Sequence, residues 1–423
     1  MIIYTVQRGD TLASIAKRYG LSPLRIAADN QLRDPARLAE GQNLLIMTDF
    51  IRYILEEGQT LYSISQEYNV PLAALLEANP NLNPISLQAG DEVRIPVAEQ
   101  TPKRPAIVNG YAYPTISTNA LNCVLPFLSF ISIFSYSITP EGGLVAADDS
   151  DLIYRSVRAA VMPLMVVTNI YNGTFDTDVL SGILADPERR ERLISGILDE
   201  MAEKGYYGAN IDMEYIAPAD RESYNDFLQE LADRLHAQGY IVVSALAPKI
   251  SAGQQGLLYE SHDYEAQGGI VDFIILMTYE WGYTYGPPLA VSPINEVRRV
   301  LDYAVSVIPP EKILMGLPNY GYDWTLPFMR GTAAQSVGFI EATELALRYG
   351  APIQYDEQAQ TPYFNYTANG QRHVVWFDDP RSIAAKLALV DEYDLGGVSW
   401  WTVNRCYVPA WLEQQNDFEI AKL

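Results

Sequence analysis

The feature that most restricts the fold is the stretch from Lys204 to Ile216, where a short strand lies between two helical patterns. Because side chains alternate along a strand, Asn210, Asp212 and Glu214 share one face, and apolar residues occupy the other. A strand in the middle of an α/β unit is covered on both faces. Burying unpartnered carboxyl and amide groups costs roughly several kcal/mol each. The stretch therefore predicts a functional site rather than the alternative, an exposed edge strand.

The surrounding pattern predicts a parallel α/β fold. The helix before the strand begins at Asp186-Pro187 and stops at Gly205, and the helix after it stops near Gly239. From residue 107 onward, strand-like apolar runs alternate with amphipathic helices. The eight candidate strands are Ile107–Tyr111, Phe127–Phe134, Val161–Asn169, Gly208–Glu214, Ile241–Ala247, Phe273–Tyr279, Ile313–Pro318 and Gly397–Trp401.

The N-terminal part is an internal repeat, in which two copies align at an offset of 49 residues without a gap. In each copy a short strand leads through Gly-Asp-Thr-Leu or Gly-Gln-Thr-Leu into a helix that the threonine can cap. A second short helix and a closing strand follow. We therefore expect module 1 at residues 1–48, module 2 at 49–96, a linker at 97–106 where proline and charge mix, and one larger domain at 107–423.

Composition excludes several classes of function. A chain of 423 residues that is 48% hydrophobic can bury a sizeable core in more than one domain. A net charge of -23 argues against nucleic acid or an anionic membrane as the main partner, since both are polyanions.

The cysteines and histidines suggest no metal site and no cofactor. Cys123 and Cys406 are too few and too far apart for a disulfide framework, so we expect two buried thiols. His236, His262 and His373 lack metal-like spacing, and we assign them no catalytic role.

Neither an export signal nor a membrane span is predicted. A repeat begins at Tyr4, where a signal peptide would have its apolar core. Leu121 to Ile138 is uncharged but interrupted by Pro126 and four serines, so we interpret it as a buried strand and its flank.

The central strand carries a family resemblance. Residues 207–214 resemble the Asp-Gly-x-Asp-x-Asp-x-Glu motif of glycoside hydrolase family 18, the chitinase-like (β/α)8 barrels. Gly208, Asp212 and Glu214 fit, whereas Tyr207 and Asn210 stand where the family usually has aspartates. Asparagine at that position is familiar from bacterial cell-wall and spore-cortex members.

Two further motifs follow in the family's order. Met277-Thr-Tyr279-Glu280 resembles the Met-x-Tyr-Asp motif of the sixth strand, and the run that ends in Trp401 resembles the end of the eighth. The resemblance implies a (β/α)8 TIM barrel whose active site lies at the C-terminal ends of the strands. It also implies an insertion after strand seven, at about 325–373.

The family's chemistry assigns roles to these residues. Glu214 would be the general acid, and its pKa would be raised by the like charge of Asp212 and by an apolar barrel. The resemblance implies that the substrate's acetamido oxygen is the nucleophile and that stereochemistry is retained. Asp212 would orient the acetamido nitrogen, Tyr279 would hydrogen-bond its carbonyl oxygen, and Trp401 would form the floor under the sugar.

Other residues are candidates for substrate binding. Asn210 belongs to the motif, and Glu280 is either a partner of the acetamido group or a solvated loop residue. Tyr111, Trp281 and Tyr322 are candidates for stacking on sugar faces, although aromatic side chains near strand ends commonly serve packing.

The repeat resembles LysM, a small βααβ module that binds N-acetylglucosamine-containing glycans. In LysM modules the sugar lies between the first strand-helix loop and the second helix-strand loop. The alternative is that these residues only shape turns and caps. The implied glycan contacts are Gly9, Asp10, Thr11, Leu12 and Asn30 in module 1, and Gly58, Gln59, Thr60, Leu61 and Asn79 in module 2.

The whole pattern resembles the spore-cortex-lytic N-acetylglucosaminidases of spore-forming Bacillales. The resemblance implies hydrolysis of cortex peptidoglycan or its fragments during germination, with assembly into the spore from the mother cell cytoplasm. Because peptidoglycan carboxylates would be repelled at long range, attachment would depend on short-range sugar contacts. The alternatives are a chitinase and a chitinase-like lectin or coat protein.

Overall fold

The computed structural model describes residues 1–97 and 103–422. Half of the predicted linker, residues 98–102, lies outside the described residues. The first strand after it begins at Pro105, so the last two residues assigned to the linker belong to a strand.

Modules 1 and 2 share the βααβ order that the repeat predicts. Each contains an antiparallel strand pair, in which Ile2 lies opposite Ile46 and Phe50 lies opposite Pro96. Module 1 consists of β1 (Ile2–Thr5), α1 (Leu12–Tyr19), α2 (Pro23–Asp29) and β2 (Asn43–Ile46). Module 2 consists of β3 (Phe50–Ile54), α3 (Leu61–Glu67), α4 (Leu72–Ala78) and β4 (Glu92–Pro96).

One buried asparagine ties each module together. The Asn30 amide donates to the Ile26 and Leu45 carbonyl oxygens at 2.9 and 2.7 Å, and its oxygen accepts from the Leu45 N–H at 2.7 Å. Asn79 makes the equivalent three bonds in module 2, at 2.6 to 2.8 Å. These bonds join the second helix to the closing strand.

The larger domain follows the alternating pattern. Three short 3-10 helices lie at Leu125–Phe127, Pro218–Asp220 and Pro310–Lys312 among the described residues. In chain order the other elements up to the seventh barrel strand are β5 (Pro105–Ala112), α5 (Thr118–Val124), β6 (Phe130–Ile138), β7 (Leu144–Val145), α6 (Ser150–Arg158), β8 (Met162–Thr168), β9 (Ile170–Tyr171), β10 (Thr174–Phe175), α7 (Thr177–Leu184), α8 (Pro187–Lys204), β11 (Gly208–Asp212), α9 (Arg221–His236), β12 (Ile241–Leu246), α10 (Tyr264–Ile270), β13 (Phe273–Leu276), α11 (Ile294–Ala304) and β14 (Ile313–Pro318).

An insertion then precedes the last barrel strand, as the sequence predicts. Its antiparallel sheet has the order β16-β15-β19-β18-β17 and extends from residue 321 to 376, slightly beyond the expected bounds. Its elements are β15 (Gly321–Leu326), β16 (Gln335–Val337), α12 (Phe339–Tyr349), β17 (Gln354–Asp356), β18 (Thr361–Ala368) and β19 (Gln371–Trp376). The chain ends with α13 (Pro380–Glu392), β20 (Gly397–Trp401), α14 (Val408–Asp417) and β21 (Glu419–Ile420).

The predicted (β/α)8 barrel is confirmed. In the described residues, eight parallel strands follow each other in the order β5-β6-β8-β11-β12-β13-β14-β20, and β20 pairs with β5 to close the sheet. These are the eight candidate strands, with ends shifted by a few residues. The helix α8 begins as predicted, because the Asp186 carboxylate accepts from the Glu188 N–H at 2.9 Å.

The apolar run at 121–138 is part of the barrel. It forms α5, a short 3-10 helix and strand β6, whose Phe130 and Ile131 are fully buried. None of the helices in the described part of the chain combines the length and apolar character that a membrane crossing requires.

Module 1 packs against the barrel through buried polar contacts. The Asn43 amide donates to the Asp379 carboxylate at 2.6 Å, and both side chains are buried. The Ile353 N–H donates to the Glu40 carbonyl oxygen at 2.9 Å. A Cβ at Gly41 would lie 2.0 Å from the Ile353 carbonyl oxygen, so only glycine permits this approach.

The expectation of two free thiols is wrong. Cys123 and Cys406 form a disulfide whose Cα atoms are 6.2 Å apart. The 283 residues between them hide the pair from sequence reasoning, because barrel closure brings α5 next to the segment after β20. This disulfide ties the segment after Trp401 to the first helix of the barrel.

We predict that Asn43→Ala lowers the free energy of unfolding by about 1–3 kcal/mol, because it leaves a buried Asp379 carboxylate oxygen without its donor. Burial already raises the pKa of Asp379, and its bond to Asn43 opposes that rise. The destabilisation should therefore be larger at neutral pH and shrink as the pH falls through the raised pKa of Asp379, because a protonated carboxyl loses less when its donor is removed. Chemical unfolding at both pH values measures it.

The matched control is Asn122→Ala, which changes an exposed asparagine on α5. We expect that variant to stay within about 0.5 kcal/mol of the parent protein. Equal stability of the two variants would contradict a role for Asn43 in holding module 1.

Candidate active site

The structure gathers the predicted catalytic residues at one end of the barrel. Asp212 ends β11, Trp401 ends β20, and Tyr279 and Glu280 follow β13 within four residues. Glu214 lies two residues beyond β11. Since all these strands run in parallel, their C-terminal ends open on the same face.

A chain of buried amides and hydroxyls underlies this face. The Asn210 amide donates to the Tyr111 hydroxyl at 2.9 Å and to Ser132 Oγ at 3.0 Å. Ser132 donates to Asn109 Oδ1 at 2.8 Å, and the Asn109 amide donates to Ser399 Oγ at 2.9 Å. Strands from opposite sides of the barrel are thereby joined beneath Asp212. Asn210 and Tyr111, which the sequence predicts to bind substrate, are hydrogen-bonded to each other within this buried network.

Asp212 has an unused acceptor. Its carboxylate is 4% exposed, and Oδ1 has no hydrogen-bond partner among the described residues. Burial raises the pKa of Asp212. An orphaned buried oxygen is costly, so the geometry suits a donor that arrives with a ligand.

Glu214 is held by its backbone while its side chain remains partly exposed. The Glu214 N–H donates to Asn169 Oδ1 at 2.9 Å, and the Asn169 amide donates to the Glu214 carbonyl oxygen at 2.8 Å. Burial raises the pKa of Glu214, and the charges of Asp212 and Glu280 raise it further. The group can therefore hold a proton near neutral pH.

His262 positions the same segment from the other side. The Ala247 N–H donates to His262 Nδ1 at 2.7 Å, which leaves the proton on Nε2, and Nε2 donates to the Met213 carbonyl oxygen at 3.0 Å. Burial lowers the pKa of His262 to about 4, so the ring is neutral. Sequence reasoning assigned it no catalytic role and missed this positioning role. No local pattern signals a contact across 49 residues.

Two tyrosines hold the carboxylate of Glu280. The hydroxyls of Tyr320 and Tyr322 both donate to Oε1, the latter at 3.0 Å. Burial raises the pKa of Glu280, and the two hydrogen bonds oppose that rise. Glu280 is an exposed residue that two tyrosines hold, and its contact with the acetamido group stays a prediction. Tyr320 was missed by the sequence analysis, although it lies two residues from the predicted Tyr322.

Trp401 is the centre of an aromatic cluster. Its ring centroid lies 5.1 Å from that of Tyr111, 5.0 Å from Phe134 and 6.0 Å from Tyr113, all edge to face. A cavity of about 430 Å³ opens beside it. The walls of this catalytic cavity include Tyr113, Glu280, Asn319, Tyr320, Tyr322 and Trp401. Its size is within the range of small-molecule sites.

Of the motif residues, Glu280 and Trp401 line this cavity, whereas Asp212, Glu214 and Tyr279 are not part of its wall. Tyr207 and the candidate Trp281 also lie away from it. Tyr207 precedes β11, and its ring packs on Phe130 inside the barrel, at 6.1 Å between centroids. Five residues of strand separate it from Asp212, or about 16 Å. The tyrosine that replaces the family's aspartate at position 207 therefore takes part in the packing of the barrel interior. Trp281, a candidate for stacking on sugar, packs partly buried against the main core.

The predicted glycan contacts of the modules have structural roles. Thr11 and Thr60 cap their helices, with Ser14 and Ser63 closing capping boxes. Gly9 and Gly58 have positive φ, Leu12 and Leu61 are buried in the module cores, and the buried amides of Asn30 and Asn79 hold backbone groups.

Asp10 and Gln59 occupy equivalent turns. The Asp10 carboxylate accepts from the Tyr4 hydroxyl at 2.6 Å, and Gln59 bonds with Tyr53 in the same way. Module 1 nevertheless has a groove of about 320 Å³ at the predicted loops, lined in part by Thr11, Leu12 and Leu24. Glycan contact at these positions stays a prediction.

No cluster of histidine, cysteine, aspartate or glutamate in the described ranges is suited to hold a metal ion. The side chains described above at this end of the barrel carry carboxyl, hydroxyl and aromatic groups.

Comparison with known proteins agrees with this arrangement. Residues 104–405 match the model of glycosyl hydrolases family 18, and residues 4–46 and 53–96 match the LysM domain. The chain is 40% identical to the cortical fragment-lytic enzyme of Bacillus anthracis, over 99% of each chain.

Solved structures show the same similarity. The crystal structure of the spore cortex-lytic enzyme SleL of Bacillus megaterium QM B1551 superposes with a TM-score of 0.91 at 36% identity, covering 100% of this chain and 99% of that one. A chitinase of Chromobacterium violaceum gives a TM-score of 0.69 at 27% identity, covering 74% and 98%.

We predict that Asp212→Asn lowers the pKa of Glu214. The substitution keeps the shape and burial of the site but removes the largest nearby negative charge. A ¹³C NMR titration of labelled glutamate side chains would follow it. Glu280→Gln should shift the same pKa in the same direction, and the exposed Glu203→Gln should leave it in place. An unchanged Glu214 titration in Asp212→Asn would contradict the coupling.

Proposed function

Because the chain belongs to glycosyl hydrolase family 18 and carries two LysM domains, we propose that it cleaves β-linked N-acetylglucosamine bonds in spore-cortex peptidoglycan or its fragments. The observation that carries the proposal is the pair of carboxyl groups at the end of β11, the buried Asp212 and the partly exposed Glu214. They interact electrostatically with Tyr113 and Glu280, which line the catalytic cavity. The relatives named as cortex-lytic enzymes align over almost the whole chain, modules included.

Glu214 is the general acid. Its raised pKa keeps it protonated near neutral pH, and its partly exposed side chain can reach a bridging oxygen. The proton passes from Glu214 to the glycosidic oxygen while the bond from that oxygen to the anomeric carbon breaks. Asn169 and His262 keep the segment in place during this step, since both hold backbone groups next to the acid.

The nucleophile is the acetamido oxygen of the substrate. It forms a bond to the anomeric carbon as the leaving group departs, so no second carboxylate has to attack. Asp212 offers its unpaired Oδ1 to the acetamido N–H, which becomes more acidic as the ring closes. The hydroxyl of Tyr279, which is 8% exposed, donates a hydrogen bond to the acetamido oxygen. This bond fixes the orientation of the acetamido group.

Water completes the reaction with retention of configuration. The Glu214 carboxylate left by the first step removes a proton from water, which attacks the anomeric carbon and reopens the acetamido ring. The aromatic cluster around Trp401 forms the floor under the sugar. Water thus attacks the anomeric carbon from the face that the leaving group occupied, and the product keeps the β configuration.

The modules hold the enzyme on its polymer. Module 1 offers the groove at Thr11, Leu12 and Leu24, and its fixed contacts with the barrel set the distance between that groove and the catalytic cavity. The chain's net charge of -23 gives no long-range attraction to an anionic polymer, so sugar contacts supply the binding. The site of action is the spore cortex.

Chitin is the second candidate substrate. The similarity to the Chromobacterium violaceum chitinase, which covers 98% of that protein, favours it. The same catalytic groups serve both polymers, because the attacking acetamido group is common to them.

We predict that Glu214→Gln lowers the rate of new reducing ends from cortex fragments by about 10²–10⁴-fold, the usual contribution of a general acid. Cortex fragments and chitin oligomers are assayed side by side, and the faster substrate identifies the polymer. The control Glu203→Gln changes an exposed glutamate on α8 and should act at the parental rate. Sugar release by Glu214→Gln at the parental rate would remove Glu214 from its role.

We also predict that ¹H NMR of the first products shows the β-anomer before mutarotation sets in. Retention follows from attack by the acetamido group and then by water on opposite faces. Initial release of the α-anomer would rule out this mechanism while leaving the hydrolase assignment intact.

A further inference from the structure

The catalytic cavity does not end at the barrel. A second cavity of about 580 Å³ shares part of its wall with the first. The shared wall consists of Asn319, Asn404 and Arg405. We call the two cavities together the extended groove.

The far end of the extended groove is formed by module 1. The second cavity is lined there by Gln31 and Arg33, whereas the first is lined by Glu280 and Trp401. The groove thus leads from the catalytic end of the barrel to the loop after α2. That loop adjoins the module's own groove at residues 35 and 36.

The wall between the cavities is rigidly built. The Asn319 amide, 3% exposed, donates to the carbonyl oxygens of Thr402 and Arg405 at 2.8 and 2.7 Å. Asn404 Oδ1 accepts from the Tyr113 N–H at 3.0 Å. The disulfide at Cys406 follows directly.

Module 1 braces the same segment from the other side. Gln31 accepts from the Val408 N–H at 2.7 Å and donates to the Cys406 carbonyl oxygen at 3.3 Å. The segment from Thr402 to Val408 therefore has one shape without a ligand. Such a wall can bind a ligand with little loss of conformational entropy.

The charged side chains that line the groove differ in how they are paired. Arg33 is paired with Glu344 at 2.8 Å and Glu341 at 3.8 Å, and two tyrosine hydroxyls hold the carboxylate of Glu280. Arg405 is exposed and makes no ion pair with any described residue. Its guanidinium contacts Ser336 Oγ only at 3.4 Å. Arg405 is therefore the arginine of the extended groove that forms no ion pair among the described residues, although Glu280 and Glu341 also line the groove.

We propose that the glycan strand continues from the catalytic cavity along the extended groove to module 1, and that Arg405 binds a carboxylate carried by the strand. The guanidinium fork matches a carboxylate in shape and charge. Chitin has no such group, whereas peptidoglycan carries carboxylates on its peptide stems and on muramic residues whose lactyl carboxyl bears no stem. Arg405 is then a specificity-determining residue, and this inference rests on the proposed glycosidase function.

The test uses the full-length protein and two oligosaccharides of equal length that alternate N-acetylglucosamine with N-acetylmuramic acid. One keeps its lactyl carboxylates, and the other has them amidated. Arg405→Gln should lower the ratio of kcat/KM for the carboxylate form over the amide form by about five-fold, mainly through KM. The ratio for Arg405→Lys should lie between those of the parent and Arg405→Gln, because lysine keeps the charge but lacks the two-pronged guanidinium geometry.

The matched control is Arg158→Gln, which removes an exposed arginine on α6, outside both cavities. Its ratio should equal that of the parent. A second measurement compares the salt dependence of the two proteins. For the carboxylate form, added salt should narrow the KM difference between the parent and Arg405→Gln, because salt screens the Arg405 charge while the long-range repulsion from the rest of the protein is nearly the same in both.

The two proposals fail in different ways. If the parent cleaves neither oligosaccharide, cortex fragments nor chitin oligomers, the proposed function is overturned. If the parent cleaves them but Arg405→Gln leaves the ratio unchanged, the assignment of Arg405 is overturned while the hydrolase remains. A KM difference between the parent and Arg405→Gln that added salt leaves unchanged for the carboxylate form would also count against carboxylate recognition.

Discussion

The constraint on which the rest of the structure depends is the burial of two carboxyl groups at the C-terminal end of β11. Removing a charge from water is costly, so burial favours the protonated, neutral form of a carboxyl group. The pKa values of Asp212 and Glu214 are both raised for this reason. A carboxyl that keeps its proton can donate it. The energetic penalty of the site and its chemical use therefore have the same physical origin.

Buried amides recur wherever the chain needs a fixed backbone. Asn169 clamps Glu214, Asn319 clamps the segment after β20, and Asn30 and Asn79 close the two modules. An amide can donate and accept at once, so one uncharged side chain satisfies several main-chain groups. The active site and the modules are built with the same device, and it adds no further charge to the buried site.

Sequence reasoning succeeded where the signal is local or repeated. Strand alternation and helical stripes predicted all eight barrel strands, and the fixed repeat predicted both modules. Prediction failed for Cys123 and Cys406, for His262 and for Tyr320. Each of these acts through a partner that is distant in sequence or on another element, and a single sequence holds no pattern for such a contact. Tyr207 looked like a disturbance of the motif, but the strand carries it into barrel packing.

The sequence by itself determined the order of the elements, the placement of Asp212 and Glu214 at the end of one strand, and the presence of two similar modules, because periodicity and spacing are properties of the chain. Only the tertiary structure decided that Asp212 keeps an unpaired oxygen, that a disulfide and Gln31 hold the segment after Trp401, and that module 1 lines a cavity that shares wall residues with the catalytic cavity. The physical reason is closure: joining β20 to β5 places segments separated by hundreds of residues side by side, and their contacts exist only once the barrel has formed.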